Sequence, residues 1–143
     1  MLLPHAERED DMLQGMATHN FFAADLDAAR AWYSDLFGAE PYYVVEGGYV
    51  EWRLGPREDE FGIVNAAYAP HPTGTPAGSV TFWAVDDVAA ALDDLVARGA
   101  AKHTDVREHG PGFVTASVVD PFGNVLGIME NVHFAEGLRG PAR

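Results

Sequence analysis

The sequence of 143 residues contains no cysteine. The absence of cysteine excludes disulfide bridges, thiol nucleophiles and zinc sites built on sulfur, and it suits a reducing compartment. Basic residues are also scarce, with 9 Lys and Arg against 22 Asp and Glu, and the formal net charge is −13. Such a charge repels nucleic-acid phosphates and anionic lipid surfaces. Composition therefore disfavours a role at DNA, RNA or a membrane surface, and it is compatible with a cationic ligand.

Long apolar runs are missing as well. No segment approaches the roughly 18 consecutive apolar residues that a membrane-spanning helix needs. Residues 1–11 lack the apolar stretch of a secretory signal peptide, so we expect a cytoplasmic protein. The sequence also lacks a Ser/His/Asp order, a phosphate loop and a nucleotide-binding fingerprint, which would have indicated other enzyme classes.

Two segments show the period of an amphipathic helix. Between Asp25 and Gly38 the apolar residues recur at helical spacing, with Asp25 placed to cap the first turn and Gly38 to end the helix. Asp86–Arg98 has the same pattern and is followed by Gly99. Strands are predicted for residues 18–24, 42–46, 49–54, 61–68, 79–85, 102–107, 112–119 and 124–130.

These elements form a repeat, because each half reads strand, helix, strand, strand, strand. Asp25 in the first half corresponds to Asp87 in the second. We therefore predict an α+β fold of two tandem βαβββ modules whose sheets pair and bury each other. The predicted organisation is a polar leader (1–15), module 1 (16–69), a Pro/Gly linker (70–78), module 2 (79–131) and a tail (132–143).

Three motifs of the repeat carry a family resemblance. They are Asp25–Gly38 (DLDAARAWYSDLFG), Phe82–Ala91 (FWAVDDVAAA) and Asp120–Met129 (DPFGNVLGIM). On these motifs the chain resembles the vicinal oxygen chelate superfamily, which includes glyoxalase I, extradiol dioxygenases and bleomycin-resistance-type proteins. The resemblance implies a curved mixed sheet that forms a cup, with helices on its outer face and ligand on its concave face. It also implies a homodimer, in which the modules pair within one chain or across two.

The resemblance further implies where metal-binding members would place their ligands, on the first and last strand of each module. In this sequence those positions are Thr18, Val80, Gly127 and its repeat mate Asn65. Val80 and Gly127 have no side-chain donor, so we predict neither a metal nor another cofactor. The alternative is a divalent metal acting as a Lewis acid, with His19 and Glu51 as its ligands. His19 adjoins Thr18, but neighbouring strand residues point to opposite faces, which favours a packing role.

Alternation along the strands predicts which side chains line the cup. Val50, Trp52 and Leu54 are apolar and should pack under the helix, which leaves Tyr49, Glu51 and Arg53 facing the cup. The complete predicted ligand-binding set is Asn20, Phe22, Tyr49, Glu51, Arg53, Asn65, Phe82, Phe113, Thr115 and Met129. A largely apolar and aromatic lining with a few polar groups is typical of a small-molecule site.

Three functional hypotheses follow from these observations. The leading one is a small-molecule-binding protein of the glyoxalase/bleomycin-resistance type, which sequesters an apolar or aromatic ligand, cationic or neutral, without breaking a bond. The second is a metal-dependent lyase, isomerase or dioxygenase of the same superfamily. The third is a non-catalytic protein-interaction module whose cup is filled by its own side chains.

Overall fold

The computed structural model describes residues 12–139, with side chains up to Gly137. The rest of the predicted leader (1–11) and tail (140–143) lies outside this range. In chain order the elements are β1 (His19–Ala23), α1 (Leu26–Phe37), β2 (Tyr43–Val45), β3 (Tyr49–Leu54), β4 (Asp59–Asn65), β5 (Thr81–Ala84), α2 (Val88–Ala97), β6 (Ala101–Gly110), β7 (Phe113–Val119), β8 (Val125–Asn131) and α3 (Val132–Arg139).

The eight strands form two mixed sheets of four strands each. Their orders are β1-β4-β3-β2 and β5-β8-β7-β6, so the second sheet repeats the first. In each sheet the first strand pairs in parallel with the last strand of its module, and the other pairings are antiparallel. The predicted α+β class and the repeated βαβββ order are therefore confirmed.

Helix α1 begins and ends at the residues that the sequence indicates, whereas α2 begins two residues later and ends one residue earlier than the predicted Asp86–Arg98. The Asp25 carboxylate accepts a hydrogen bond from the Ala28 backbone N–H at 3.0 Å, and Gly38 ends α1 in the left-handed conformation at φ 66°. Asp87 caps α2 in the same way through the Ala90 N–H. Each helix lays an apolar stripe on its own sheet, with Leu26, Ala29 and Tyr33 buried on α1 and Val88, Leu92 and Leu95 on α2.

The helix-facing sides of both sheets contribute to one hydrophobic core within a single chain. Val50 and Trp52 on β3 are buried there, as the alternation predicts. Trp83 on β5 crosses from module 2 to module 1, where its ring centroid lies 5.5 Å from that of Phe37 and 5.2 Å from that of Phe61. Burial of these aromatic surfaces holds the modules together.

Three details differ from the sequence-based expectations. The strand predicted over 61–68 ends at Asn65, and a 3-10 turn over Ala66–Tyr68 follows it. β6 is longer than predicted and has three register irregularities against β7. Helix α3 stands where a tail was expected. None of the helices in the described part of the chain is long and apolar enough to cross a membrane.

Candidate functional site

The sheet faces opposite the helices, here called the cup faces, carry most of the predicted ligand-binding residues. On the first sheet Glu51 lies opposite Gly62, and Tyr49 lies opposite Val64. On the second sheet Thr115 pairs with Met129, and Phe82 pairs with Gly127. By strand alternation the cup faces contain Asn20, Phe22, Tyr49, Glu51 and Arg53 on the first sheet and Phe82, Phe113, Thr115 and Met129 on the second.

The placement of Asn65 on the cup face was wrong. Asn65 ends β4 on the same side as Ile63, which is buried in the core. Its side-chain oxygen accepts from the Ala67 N–H at 2.9 Å, and its side-chain nitrogen donates to the Gly47 carbonyl at 2.9 Å. Asn65 therefore caps the 3-10 turn and ties it to the β2–β3 hairpin.

Glu51 is a nearly buried carboxylate on the first cup face. The residue is 8% exposed, and its Oε1 accepts a hydrogen bond of 2.9 Å from the Tyr49 hydroxyl. Arg53 Nε lies 4.0 Å from Glu51 Oε2, while the Arg53 guanidinium stacks 4.2 Å above the Tyr42 ring centroid. Burial, followed by the hydrogen bond to Glu51, raises the pKa of Tyr49 to about 12. Tyr49 is therefore a neutral donor to this carboxylate at ordinary pH.

Other cup residues contact nearby side chains of the same chain. The Phe22 ring packs edge-on against His71 of the linker, with ring centroids 5.0 Å apart. The Thr115 hydroxyl lies 2.7 Å from His109 Nε2. Side chains of the same chain therefore already cover part of each cup face.

Two glycines occupy equivalent positions beneath aromatic rings. In the parallel ladders Gly62 pairs with Asn20, and Gly127 pairs with Phe82. A Cβ atom at Gly62 would lie 2.2 Å from the Tyr49 hydroxyl oxygen, and one at Gly127 would lie 2.6 Å from the Phe82 ring. Each ring therefore lies flat against its sheet because the residue below it has no side chain.

This register also corrects the metal-ligand positions. Because Asn20 and Phe82 are equivalent first-strand residues, the mate of Gly127 is Gly62 and not Asn65. The set becomes Thr18, Gly62, Val80 and Gly127, which offers one hydroxyl oxygen. A divalent ion needs several imidazole, carboxylate or carbonyl donors, so these residues do not fit one.

The alternative ligands His19 and Glu51 are not brought together. His19 follows the alternation of Phe21 and points to the core side of β1, whereas Glu51 is on the cup face of β3. Within residues 12–139 no three His, Asp or Glu side chains converge as a metal-binding group.

A cavity of about 720 Å³ opens between the two modules, and we call it the intermodule cavity. Its aromatic and sulfur-containing walls include Phe61, Phe82, Trp83, Met129 and Phe134, and its polar walls include His19, Asp59 and Glu60. Phe82 and Met129 belong to the predicted ligand-binding set. The other members of that set are not in this lining.

The charged side chains of the intermodule cavity are acidic. Asp59 and Glu60 line it, while no Lys or Arg among the residues that the structure describes does. Neither carboxylate makes an ion pair with the side chains that the structure describes. Aromatic faces together with carboxylates favour a cationic, aromatic guest over an anionic one. Sequence reasoning missed this arrangement because the lining comes from distant segments of both modules and from α3.

Comparison with known proteins agrees with this architecture. The profile of the Glyoxalase/Bleomycin resistance protein/Dioxygenase superfamily matches residues 15–128. No curated protein sequence matches the chain. Similar solved structures include a glyoxalase-related enzyme from Fulvimarina pelagi, with 20% identity, a TM-score of 0.67 and coverage of 84% of this chain and 90% of that one.

Two further similar structures are of proteins named for different functions. A lactoylglutathione lyase from Agrobacterium tumefaciens is 20% identical, with a TM-score of 0.64 and coverage of 84% of this chain and 96% of that one. A bleomycin resistance determinant encoded on the transposon Tn5 is 19% identical, with a TM-score of 0.59 and coverage of 82% and 98%. At these identities the structures show a shared fold and leave the activity open. The repeated βαβββ architecture and the family match together show that this chain belongs to the glyoxalase/bleomycin resistance protein/dioxygenase superfamily.

Proposed function

We propose that this protein binds a small apolar or aromatic molecule non-covalently, as a ligand-sequestering member of its superfamily. The observation that carries the proposal is the intermodule cavity, whose volume of about 720 Å³ suits a drug-sized ligand. Phe82, which is 45% exposed, and the half-buried Trp83 offer ring surfaces against which a planar molecule can stack.

The charge of the lining supports a positively charged ligand. A cation gains from the faces of aromatic rings and from the carboxylates of Asp59 and Glu60. The net charge of −13 adds long-range attraction, which salt weakens. We therefore propose an aromatic cation as the preferred class, with a neutral aromatic of the same shape binding more weakly.

We further propose that the protein acts as a cytoplasmic homodimer. Members of the superfamily are often dimers, and exposed aromatic surface remains on the single chain. Tyr42 is 66% exposed beside the short edge strand β2, and Tyr43 is 53% exposed on it. A second copy would cover such surface. Light scattering on the purified protein would test this, and a monomer across micromolar concentrations would contradict it.

The binding proposal is tested with three matched ring systems. Proflavine is a planar cation, acridine at pH 8 is its neutral counterpart, and anthracene-2-carboxylate is an anion of similar size. We expect proflavine to raise the melting temperature of the protein most and anthracene-2-carboxylate to raise it least. A ligand at 100 times its dissociation constant adds about 2.7 kcal/mol to the free energy of unfolding, which a thermal-shift measurement detects readily.

Two variants locate the site. Phe82→Ala should weaken proflavine binding, whereas Tyr68→Ala, which removes a ring that is 71% exposed and outside the cavity lining, should not. No stabilisation by any of a broad panel of aromatic molecules would reject ligand binding and favour the interaction-module hypothesis. Stoichiometric Ni²⁺ or Zn²⁺ binding that is lost in His19→Ala would instead favour the metal-dependent enzyme.

A further inference from the structure

Helix α3 joins the two modules across the intermodule cavity. Its first turn is fixed to module 2, because Asn131 Oδ1 accepts hydrogen bonds from the backbone N–H groups of His133 at 2.9 Å and Phe134 at 3.2 Å. The Val132 N–H donates to the Gly112 carbonyl at 3.1 Å. These bonds make the β8–α3 junction the anchored end of the helix.

Helix α3 also contacts module 1, through Arg57. The Arg57 guanidinium carbon lies 5.2 Å from the Phe134 ring centroid, a cation–π contact. Arg57 also lies so close to Gly137 that a Cβ there would be 2.6 Å from its Nη2. Arg57 belongs to the β3–β4 turn, in which Gly55 and Pro56 line the cavity. The contact therefore lies at the edge of the cavity.

Among the α3 side chains that the structure describes, His133 also contacts module 2, where its ring centroid lies 5.4 Å from that of Phe113. His133, Ala135 and Glu136 are exposed, while Phe134 is half-buried and lines the cavity. A helix with so many exposed side chains in its described part can undock at low cost while the two sheets remain intact. An aromatic cation inside the cavity would also compete with Arg57 for the face of Phe134.

We propose that α3 is a lid on the intermodule cavity and that Arg57 is its latch, so that ligand entry requires the Arg57–Phe134 contact to open. This inference rests on the proposed function, because a lid matters only if the cavity receives a ligand. Arg57 is thus a positioning residue that controls the rate of entry.

The experiment has one readout without ligand and one with it. Hydrogen exchange of the α3 amides in the ligand-free protein reports lid opening, and stopped-flow fluorescence with proflavine reports the association rate constant. Arg57→Gln and Phe134→Leu should each increase both rates by about two- to fivefold, the amount that an exposed cation–π contact provides. Arg30→Gln, which removes an equivalent charge near Glu40 on the outside of α1, should leave the exchange of α3 unchanged.

Arg57→Gln removes both the charge and the cation–π contact, whereas Phe134→Leu removes only the contact, so the two variants distinguish these effects. If Arg57 acted only by repelling a cationic ligand, Arg57→Gln would speed association without changing exchange, and Phe134→Leu would change neither rate; that result would overturn the lid. Unchanged exchange in both variants would also overturn it, whether or not proflavine binds. If α3 exchanged faster in the two variants but the protein bound no aromatic cation, the result would support a mobile α3 and reject the proposed function.

Discussion

At the scale of single residues, the pair formed by Tyr49 and Glu51 shows how a carboxylate is accommodated on a sheet. Gly62 leaves room for the Tyr49 ring to lie across the neighbouring strand, and from there its hydroxyl donates to Glu51. A buried carboxylate without a donor would be costly, so the tyrosine stabilises the charge. The same burial and hydrogen bond disfavour the tyrosinate form of Tyr49.

The raised pKa of Tyr49 predicts a loss of stability at alkaline pH. Its usual pKa is 10.0, and in the folded protein it is about 12. Below pH 10 the Tyr49 hydroxyl is protonated in both the folded and the unfolded protein. Between pH 10 and about 12 the unfolded chain releases the hydroxyl proton, whereas the folded protein keeps it. The free energy of unfolding should therefore fall as pH rises through this window. Burial, with Asp120 beside it, also raises the pKa of Tyr33, which gives the same sign.

Urea unfolding of Tyr49→Phe and of the unmutated protein at about pH 9 and about pH 11 checks this prediction. The variant should lose less stability between the two values, although part of the fall should remain because of Tyr33. Tyr68→Phe, at an exposed ring, is the control and should behave like the unmutated protein. An equal fall in Tyr49→Phe would contradict the assignment to Tyr49.

At the scale of secondary-structure elements, the contact between β5 and β8 depends on Gly127. The residue is buried, and the Phe82 ring covers it. A glycine leaves the strand backbone uncovered on this face of the sheet. The aromatic ring covers that backbone with apolar surface and so stabilises the strand. It also fixes the direction in which Phe82 faces the intermodule cavity.

Gly127→Ala should displace the Phe82 ring. The new Cβ would lie 2.6 Å from a ring atom, so the ring or the strand must move, at a cost of about 1–3 kcal/mol. Gly48→Ala is a matched control, because a Cβ there would meet Val45 at an ordinary distance of 3.6 Å. Denaturant unfolding measures both variants. A Gly127→Ala protein as stable as Gly48→Ala would show that the ring does not depend on this glycine.

At the scale of the whole molecule, the β7–β8 turn connects the modules. Asp120 is buried in this turn and accepts a 2.5 Å hydrogen bond from the hydroxyl of Tyr33 on α1. In the same turn, Asn124 binds both backbone groups of Phe22 on β1, accepting from its N–H at 3.2 Å and donating to its carbonyl at 2.9 Å. The side chain of Asn124 thus pairs with β1 much as another strand would.

Asn124→Ala should weaken the link between the modules. It removes the partner of the Phe22 backbone groups and one donor to Asp120, and unpaired polar groups at such partly buried sites cost about 1–3 kcal/mol. We expect a lower urea midpoint and faster hydrogen exchange in β1. Gln14→Ala, which removes an exposed amide, is the control. Unchanged exchange in β1 would mean that the aromatic core alone holds the modules.

Features that depend on near neighbours in the chain could be predicted. The ends of α1 follow from Asp25 and Gly38, because a carboxylate cap and a left-handed glycine act within one turn of the helix. The alternation along β3 predicted that Trp52 is buried and that Glu51 is on the other face. Most of the predicted cup residues share faces as expected for this reason.

Features that depend on alignment between distant segments were harder to predict. Asn65 was placed on the cup face because the helix offset was extended to the last strands, whereas the paired strands align Gly62 with Gly127. Helix α3 has a short apolar pattern, and its start depends on the Asn131 side chain at the end of β8. A strand register is set by its hydrogen-bonded partner, which spacing along the chain does not specify.

The sequence by itself determined the two βαβββ modules, the caps of α1 and the superfamily, because these depend on local periodicity and short motifs. The tertiary structure alone decided that the modules share a core through Trp83, that aromatic rings cover Gly62 and Gly127, and that Phe134 of α3 lines a cavity with Asp59 and Glu60. The physical reason is that a cavity is enclosed by surfaces from separate elements, and their meeting depends on how whole sheets pack.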